Sequence, residues 1–495
     1  VLPRAVGGVV LGVGAGLLAA AYALDGDNDW VWVLLGGLGT AACISLIPVT
    51  QRVLTVHHVT AYGLPGLKLP SAPPAWVPGT LGGASLLGSA AILAADWPMM
   101  WWILWLTAVG VAIAAVTAYS FWLARQRGRR WPAVEAALER HEPQFLIYTG
   151  RPDGGAYQIE QWVGPLRRIG VPFAIITRHN AAAKALRSSP ALDGIPLLAC
   201  LDARQLDRVV TPTVKAVFYV NSVASNINMV SYRRLTHIYL GHGDSDKEIS
   251  AHPAHAMYDK IFVAGQAAID RYSAHNVVIP AEKFHIVGRP QLDGVRSGAR
   301  ERGADEPLTV LYAPTWLGYN KASTLTSLHA AAPFIGALLS RGVRVIFRPH
   351  PFSSKSAAER QLVAGIDTLL ARDGGGHMQS RAASAASLID LFNDADALLT
   401  DVSSVLVDFT ITRRPIAVIA DGAGDLASRY PSLRAAKLLS STVDLGDFLR
   451  LVEDNTNPYA RFAEGYQGSG SSFAQAVHEV LRGSSTITSA GSVRP

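Results

Sequence analysis

The 495-residue sequence predicts an α/β protein: two parallel-sheet domains in tandem, preceded by an all-α four-helix transmembrane domain. Three observations predict it. Apolar residues make up 49% of the chain and charged ones 17%, and the apolar excess sits in residues 1–124. Further on, short apolar runs alternate with helical periodicity, as in strands covered on both faces. That alternation pauses once, at the polar, Gly-containing stretch from Arg289 to Glu306, and then restarts.

In the first 124 residues, four runs approach the ~20 residues a helix needs to cross a bilayer: Ala5 to Leu24, Trp30 to Val49, Trp76 to Ala95 and Pro98 to Ala124. The third is mostly Gly, Ala and Ser, which suits helix interfaces in lipid. Arg52 and Lys68 lie between the second and third runs, and Arg125, Arg127, Arg129 and Arg130 follow the fourth. By the positive-inside rule, the termini and the central loop face the cytoplasm. The first run lacks an acceptable cleavage context and is read as a span. No run contains Lys, Arg or Glu, so the domain reads as an anchor and not an ion path. His57 and His58 read as solvated loop histidines, having no carboxylate or thiol close in sequence. Cys43 falls in a span and Cys200 beyond it, which argues against a disulfide. The net charge of +6 owes much to the membrane-flanking arginines, and no aromatic-interleaved basic stripe points to nucleic acid.

The expected organisation is a transmembrane domain over 1–124, a cytoplasmic linker helix over 125–142, α/β domains over 143–295 and 305–483, and a disordered tail over 484–495. Strands are expected at Phe145 to Thr149, Phe173 to Thr177, Ala216 to Val220, His237 to Leu240, Lys260 to Val263 and Phe284 to Val287. After the linker they are expected at Thr309 to Tyr312, Val343 to Phe347, Ala397 to Thr400 and Ile416 to Ile419. Helices are expected at Gln158 to Ile169, Ser323 to Ser340, Ala357 to Leu370, Ser387 to Asn393 and Ser403 to Thr412, with others near Leu445 to Val452 and Ser472 to Leu481. Ligands of such sheets bind beyond the carboxyl ends of the strands.

The unusual polar residues fall at those ends. Gly241-His242-Gly243-Asp244-Ser245-Asp246-Lys247 follows a strand directly. His242, flanked by glycines, suits a general base; a loop histidine satisfied by backbone is the plain alternative. Asp244 and Asp246 have the spacing of a metal-holding acidic pair, but a solvated loop is the preferred reading. Thr315 closes the next segment, Tyr312-Ala313-Pro314-Thr315-Trp316. Arg348-Pro349-His350-Pro351 closes another, where Arg348 suits bidentate phosphate contact. Last, Thr400-Asp401-Val402-Ser403-Ser404 turns a strand into a helix expected to open at Ser403. Unpaired N–H groups and two hydroxyls there suit a phosphate. The bland reading is that Asp401 or Ser403 is simply an N-cap.

His242-Gly243…Lys247, Tyr312-Ala313-Pro314-Thr315-Trp316, Arg348-Pro349-His350-Pro351 and Thr400-Asp401-Val402-Ser403-Ser404…Asp408-Phe409 together resemble the CDP-glycerol glycerophosphotransferases, the primases and polymerases of teichoic acids. The resemblance covers about residues 140 to 480. It implies two Rossmann-like domains (GT-B-like), the first on the acceptor side and the second binding the donor. It also implies CDP-glycerol or a related CDP-polyol as donor and a membrane-bound, lipid-linked acceptor; no cofactor is expected, and the apolar runs and their flanking arginines point to a multi-pass cell-membrane location with cytoplasmic catalytic domains. By that resemblance His242 and His350 match the two motif histidines, expected to be catalytic, and Ser403 and Ser404 match the donor-phosphate contacts; Arg348, Asp401, Thr315 and Lys247 are expected beside them at the donor or its phosphates. The chain departs from the family at Asp244-Ser245-Asp246, where Thr-Pro-Leu is usual, and in its integral spans. Metal dependence and homo-oligomer formation are left open. Two rivals remain: a GT-B glycosyltransferase using a nucleotide sugar, and a membrane scaffold with a degenerate transferase domain.

Overall fold

A computed structural model describes residues 45–53, 59–70, 73, 76–95, 97–246, 250–318, 325–420, 426–466 and 472–483. They fall into two compact units, Val1–Ala156 with Pro172–Val214, and Tyr157–Val171 with Lys215–Pro495.

In the first unit, helices occupy 45–53, Val77–Ala94, Met99–Arg125 and Arg127–His141. Glycines permit their packing: a Cβ on Gly82 would collide with Ile47, and one on Gly88 with the Trp105 indole. Thr50 and Thr117 share a hydrogen bond of 2.7 Å. Among the described residues, Met100–Arg125 is the one helix long and apolar enough to cross a membrane, while Val77–Ile92 is apolar but shorter. Leu104, Val111, Phe121 and Trp122 are exposed along the long helix. The first expected span and most of the second lie outside the described residues. The described residues thus show one candidate span, and the four-helix transmembrane domain is not shown.

The sheet strands of this unit are β1 (Thr60–Tyr62), β2 (Phe145–Thr149), β3 (Phe173–Thr177) and β4 (Leu197–Ala199), ordered β1-β4-β3-β2. β1 is antiparallel to β4, with Thr60 opposite Ala199; the other pairs are parallel. The stretch read as a loop between spans therefore supplies an edge strand. Gly63 lets the chain leave it, at φ +72°, where a Cβ would stand 2.8 Å from the Ile195 carbonyl oxygen.

The second unit carries two parallel sheets. One is β5 (Ala216–Tyr219), β6 (Thr236–Tyr239), β7 (Lys260–Val263) and β8 (Phe284–Ile286), in sequence order. The other contains β9 (Thr309–Ala313), β10 (Arg344–Phe347), β11 (Ala397–Thr400), β12 (Ile416–Ile419) and β13 (Lys437–Leu439), ordered β10-β9-β11-β12-β13. Side chains alternate across it. Leu311, Ile346 and Leu398 pack with Phe392 and Phe409 on one face, and Val310, Val345 and Leu399 with Ile335 and Phe448 on the other. Both faces are thus dry, which is why these strands read as continuous apolar runs.

The stretch read as a linker is tied down. Arg289 makes a bidentate pair with Asp408 (2.8 and 2.9 Å), the Arg296 N–H donates to Asn393 Oδ1, and Arg300 grips Asp396. Its polar composition serves ion pairs with the second sheet, a role that local sequence does not separate from solvation.

Candidate functional site

The chemistry-bearing segments of the second unit leave the carboxyl ends of β6, β9, β10 and β11. After β6 the chain turns at Gly241, whose φ is +65°. Helix Ala156–Arg167 pins this turn: Trp162 Nε1 donates to the Gly241 carbonyl (2.8 Å) and Gln161 Nε2 to that of His242 (2.7 Å). The His242 Nδ1 lies 2.8 Å from the Val220 carbonyl oxygen. A carbonyl only accepts, so Nδ1 carries the proton and Nε2 the lone pair, the form a general base needs. Gly243 then passes against the helix after β11. A Cβ there would stand 3.0 Å from Ser404 Cβ and 3.1 Å from its Oγ. A side chain there would require Ser404 to give by a few tenths of an ångström.

The strand-to-helix junction is present, but the helix spans Ser404–Phe409 and opens one residue later than expected. Neither candidate cap acts as one. Ser403 occupies the N-cap position without a side-chain cap bond. Asp401, fully buried, accepts from the Thr315 N–H (2.7 Å) and the Ser327 N–H (3.0 Å). Its carboxylate thus fastens the loops that follow β9 and orients the turn. Thr315 is buried in the same contact, and its carbonyl accepts from Thr326 Oγ1.

After β10, His350 Nδ1 accepts from the Phe352 N–H (3.0 Å), which leaves the proton of the neutral ring on Nε2. The His350 ring stacks on Trp316 at 6.1 Å. The Arg348 Nε is buried and meets no hydrogen-bond partner among the described residues. Burial also lowers the pKa of that guanidinium. Both features fit an arginine awaiting an anion. Between the two histidines stands Tyr157, 6.1 Å from the His242 ring and 6.4 Å from that of His350.

Asp244 and Asp246 are neither a solvated loop nor arranged for a metal. Both are buried and pair with Arg271, itself buried; Asp246 also accepts the Ser432 N–H. A cation supplied from helix Gln266–Ala274, 25 residues beyond Asp246, overturns the solvated-loop expectation. Lys247 lies outside the described residues, as do His57, His58 and Cys43. Cys200 is buried as a free thiol, and burial pushes its pKa up.

Sequence reasoning missed Tyr157, Gln161, Trp162 and Arg271. Its one available signal was the placement of Tyr157, Gln161 and Trp162 at i, i+4 and i+5, on one side of a helix that follows Gly154-Gly155.

Residues 209–425 match the family described as CDP-Glycerol:Poly(glycerophosphate) glycerophosphotransferase. No curated protein matches. Among solved structures the chain is similar to the wall teichoic acid polymerase TagF, at 12% identity and TM-score 0.46, over 73% of this chain and 94% of that one. It is similar to a glycosyltransferase from Rickettsia africae, at 10% identity and TM-score 0.42, over 70% and 99%. A third likeness is to S. aureus MnaA solved with UDP, at 12% identity and TM-score 0.42, over 70% and 97%. The matched residues 209–425, which hold His242, Arg348, His350 and the Ser403-Ser404 pair, are similar to the CDP-glycerol:poly(glycerophosphate) glycerophosphotransferase family, and the match supports a glycerophosphotransferase-like transferase.

Proposed function

We propose that this chain is a membrane-anchored GT-B transferase. It moves a glycerol-phosphate unit from CDP-glycerol to a lipid-linked acceptor in the synthesis of a teichoic-acid-like envelope polymer. The observation that carries this reading is the meeting of the His242 loop with Ser404, so close that a Cβ added to Gly243 would stand 3.0 Å from Ser404 Cβ. It brings a base of defined tautomer to the end of the sheet where the phosphate-type residues emerge.

An acceptor hydroxyl oxygen attacks the β-phosphorus of the donor. The bond from that phosphorus to the bridging oxygen breaks, CMP leaves, and the hydroxyl proton passes to His242 Nε2. Most of the barrier is positioning and charge neutralisation. Arg348, with its unpartnered buried Nε, and the Nε2–H of His350 take the diphosphate oxygens. Ser403 and Ser404 complete that grip, and Lys247 adds a cation to it. Asp401 and Thr315 act by holding the turn. In this reading 143–295 receives the acceptor and 305–483 the donor. The apolar helix Met100–Arg125, with the arginines that follow it, anchors the catalytic part at the cytoplasmic face.

The test incubates the purified full chain with CDP-glycerol, CDP-ribitol or UDP-sugars, together with membrane lipids. CMP released only with a CDP-polyol and a lipid supports the reading. Turnover of a UDP-sugar instead assigns the glycosyltransferase alternative.

A further inference from the structure

We infer that Arg271 is a positioning residue of the transfer reaction: its guanidinium holds Asp244 and Asp246 together and so sets where the His242 base stands relative to the Ser403-Ser404 pair. Arg271 Nη1 donates to Asp244 Oδ1, and its Nε and Nη2 both reach Asp246 Oδ1 at 3.4 Å. The other oxygen of Asp246 accepts the Ser432 N–H. All four residues are buried, from 1% exposed at Ser432 to 8% at Asp244. A buried ion pair is often no better for stability than apolar side chains of the same volume. Its use here lies in geometry. The guanidinium is planar, its donors are fixed in direction, and it grips two carboxylates at once.

Both ends of this fork rest on packed elements. Helix Gln266–Ala274 carries Arg271, and its Ala268 and Tyr272 pack with Ile261 and Val263 of β7. Ser432 lies in the turn Pro431–Ala435, whose Leu433 packs with Val402, Leu406 and Phe409 around the helix that opens at Ser404. Through Arg271 the loop is tied to the first sheet of the unit, and through Asp246 to the core beneath the phosphate-type residues. Gln161 and Trp162 hold the same loop by the carbonyls of His242 and Gly241. Gly243, at the close approach to Ser404, falls between His242 and Asp244, so a shift of the Asp244 anchor moves the base and that approach together. Misplacing reacting groups by about 1 Å costs about 10²-fold in rate, which sets the expected scale of the effect.

The inference rests on the proposed function for its turnover arm alone. The experiment compares the full-length protein with two variants. Arg271→Lys keeps the charge but lacks the fork. The neutral triple variant Arg271→Met, Asp244→Asn, Asp246→Asn removes the fork and leaves none of the three charges unpaired. Amide hydrogen exchange over Gly241 to Asp246, read by mass spectrometry, reports on the loop, and thermal melting on the fold. The triple variant is expected to melt near the wild type while its loop exchanges faster. Its kcat for CMP release should fall by about 10²-fold, with CDP-glycerol affinity by calorimetry unchanged. Arg271→Lys should show the same pattern to a smaller degree. A folded triple variant with wild-type loop exchange and kcat would overturn the positioning role and leave Arg271 a structural cation. If the triple variant does not fold, wild-type values in Arg271→Lys overturn it. Donor affinity lost in step with kcat would also overturn it, because the damage would then lie in the phosphate grip. A wild-type loop that exchanges more slowly than those of the variants, in a protein that releases no CMP, would instead sink the proposed function and leave the anchor standing.

Discussion

His255 offers a quantitative handle on the strand that carries the base. It lies in the turn Pro253–Met257, stacked on Tyr239 with centroids 4.1 Å apart, and its Nδ1 meets the Tyr272 hydroxyl at 2.7 Å. Its Nε2 is buried and meets no hydrogen-bond partner among the described residues. Burial holds the imidazole down at about 3, against 6.5 in the unfolded chain, with His252 adding repulsion. A depressed folded pKa contributes stability that is present above the unfolded pKa and lost as pH falls through it toward the folded value. At about pH 5 the unfolded ring is mostly protonated and the folded one is not, and the linkage relation gives a loss of about 2 kcal/mol relative to neutral pH. His237, also depressed by burial, acts in the same direction. Because Tyr239 ends β6 three residues before His242, acid loss of stability and of turnover should run together. The assay is urea unfolding of the full chain in detergent, followed by tryptophan fluorescence from about pH 5 to 7.5, beside His255→Gln. The variant should lose about 2 kcal/mol of the pH dependence. A variant with the slope of the wild type would refute the reasoning.

Three further outcomes are expected. Replacing His242 with Ala should leave the circular dichroism unchanged and lower CMP release by about 10²–10⁴-fold, the usual cost of a lost general base; near-normal turnover removes it from the mechanism. Arg348→Gln, and separately Ser403→Ala with Ser404→Ala, should weaken CDP-glycerol binding by calorimetry, the arginine by about 1.5–3 kcal/mol for a lost charged hydrogen bond; unchanged affinity rejects the phosphate grip. Arg289→Ala should destabilise the second unit by about 3–5 kcal/mol in chemical unfolding, since burial already raises the Asp408 pKa and the substitution removes the cation that opposes this. The double variant Arg289→Met with Asp408→Leu should recover most of that loss.

The strands were legible where both faces are dry. Phe145–Thr149, Phe173–Thr177, Lys260–Val263, Ala397–Thr400 and Ile416–Ile419 have the bounds that their apolar runs predict. Thr60–Tyr62, Leu197–Ala199 and Lys437–Leu439 escaped, each being three residues long and so too short to show a period. The first also depends on partners far along the chain, Tyr62 lying opposite Leu197 and Thr60 opposite Ala199. Asp401 was open to two readings because a carboxylate before a helix is ordinarily its cap. Its true partners, Thr315 and Ser327, arrive from another strand end.

By itself the amino-acid order determined the alternation of strands and helices, the strand ends that carry His242, Arg348, His350 and Ser403, and the family those segments resemble. Such information is local: burial on two faces imposes a period, and a polar residue breaking it marks an end. Only the tertiary structure decided which groups those residues meet. The Val220 carbonyl chose the His242 tautomer, Arg271 claimed both aspartates, and Tyr157 came between the histidines. The physical reason is that a short-range pattern determines how a segment folds, whereas a hydrogen bond or ring contact depends on where distant segments are brought by packing of the whole unit.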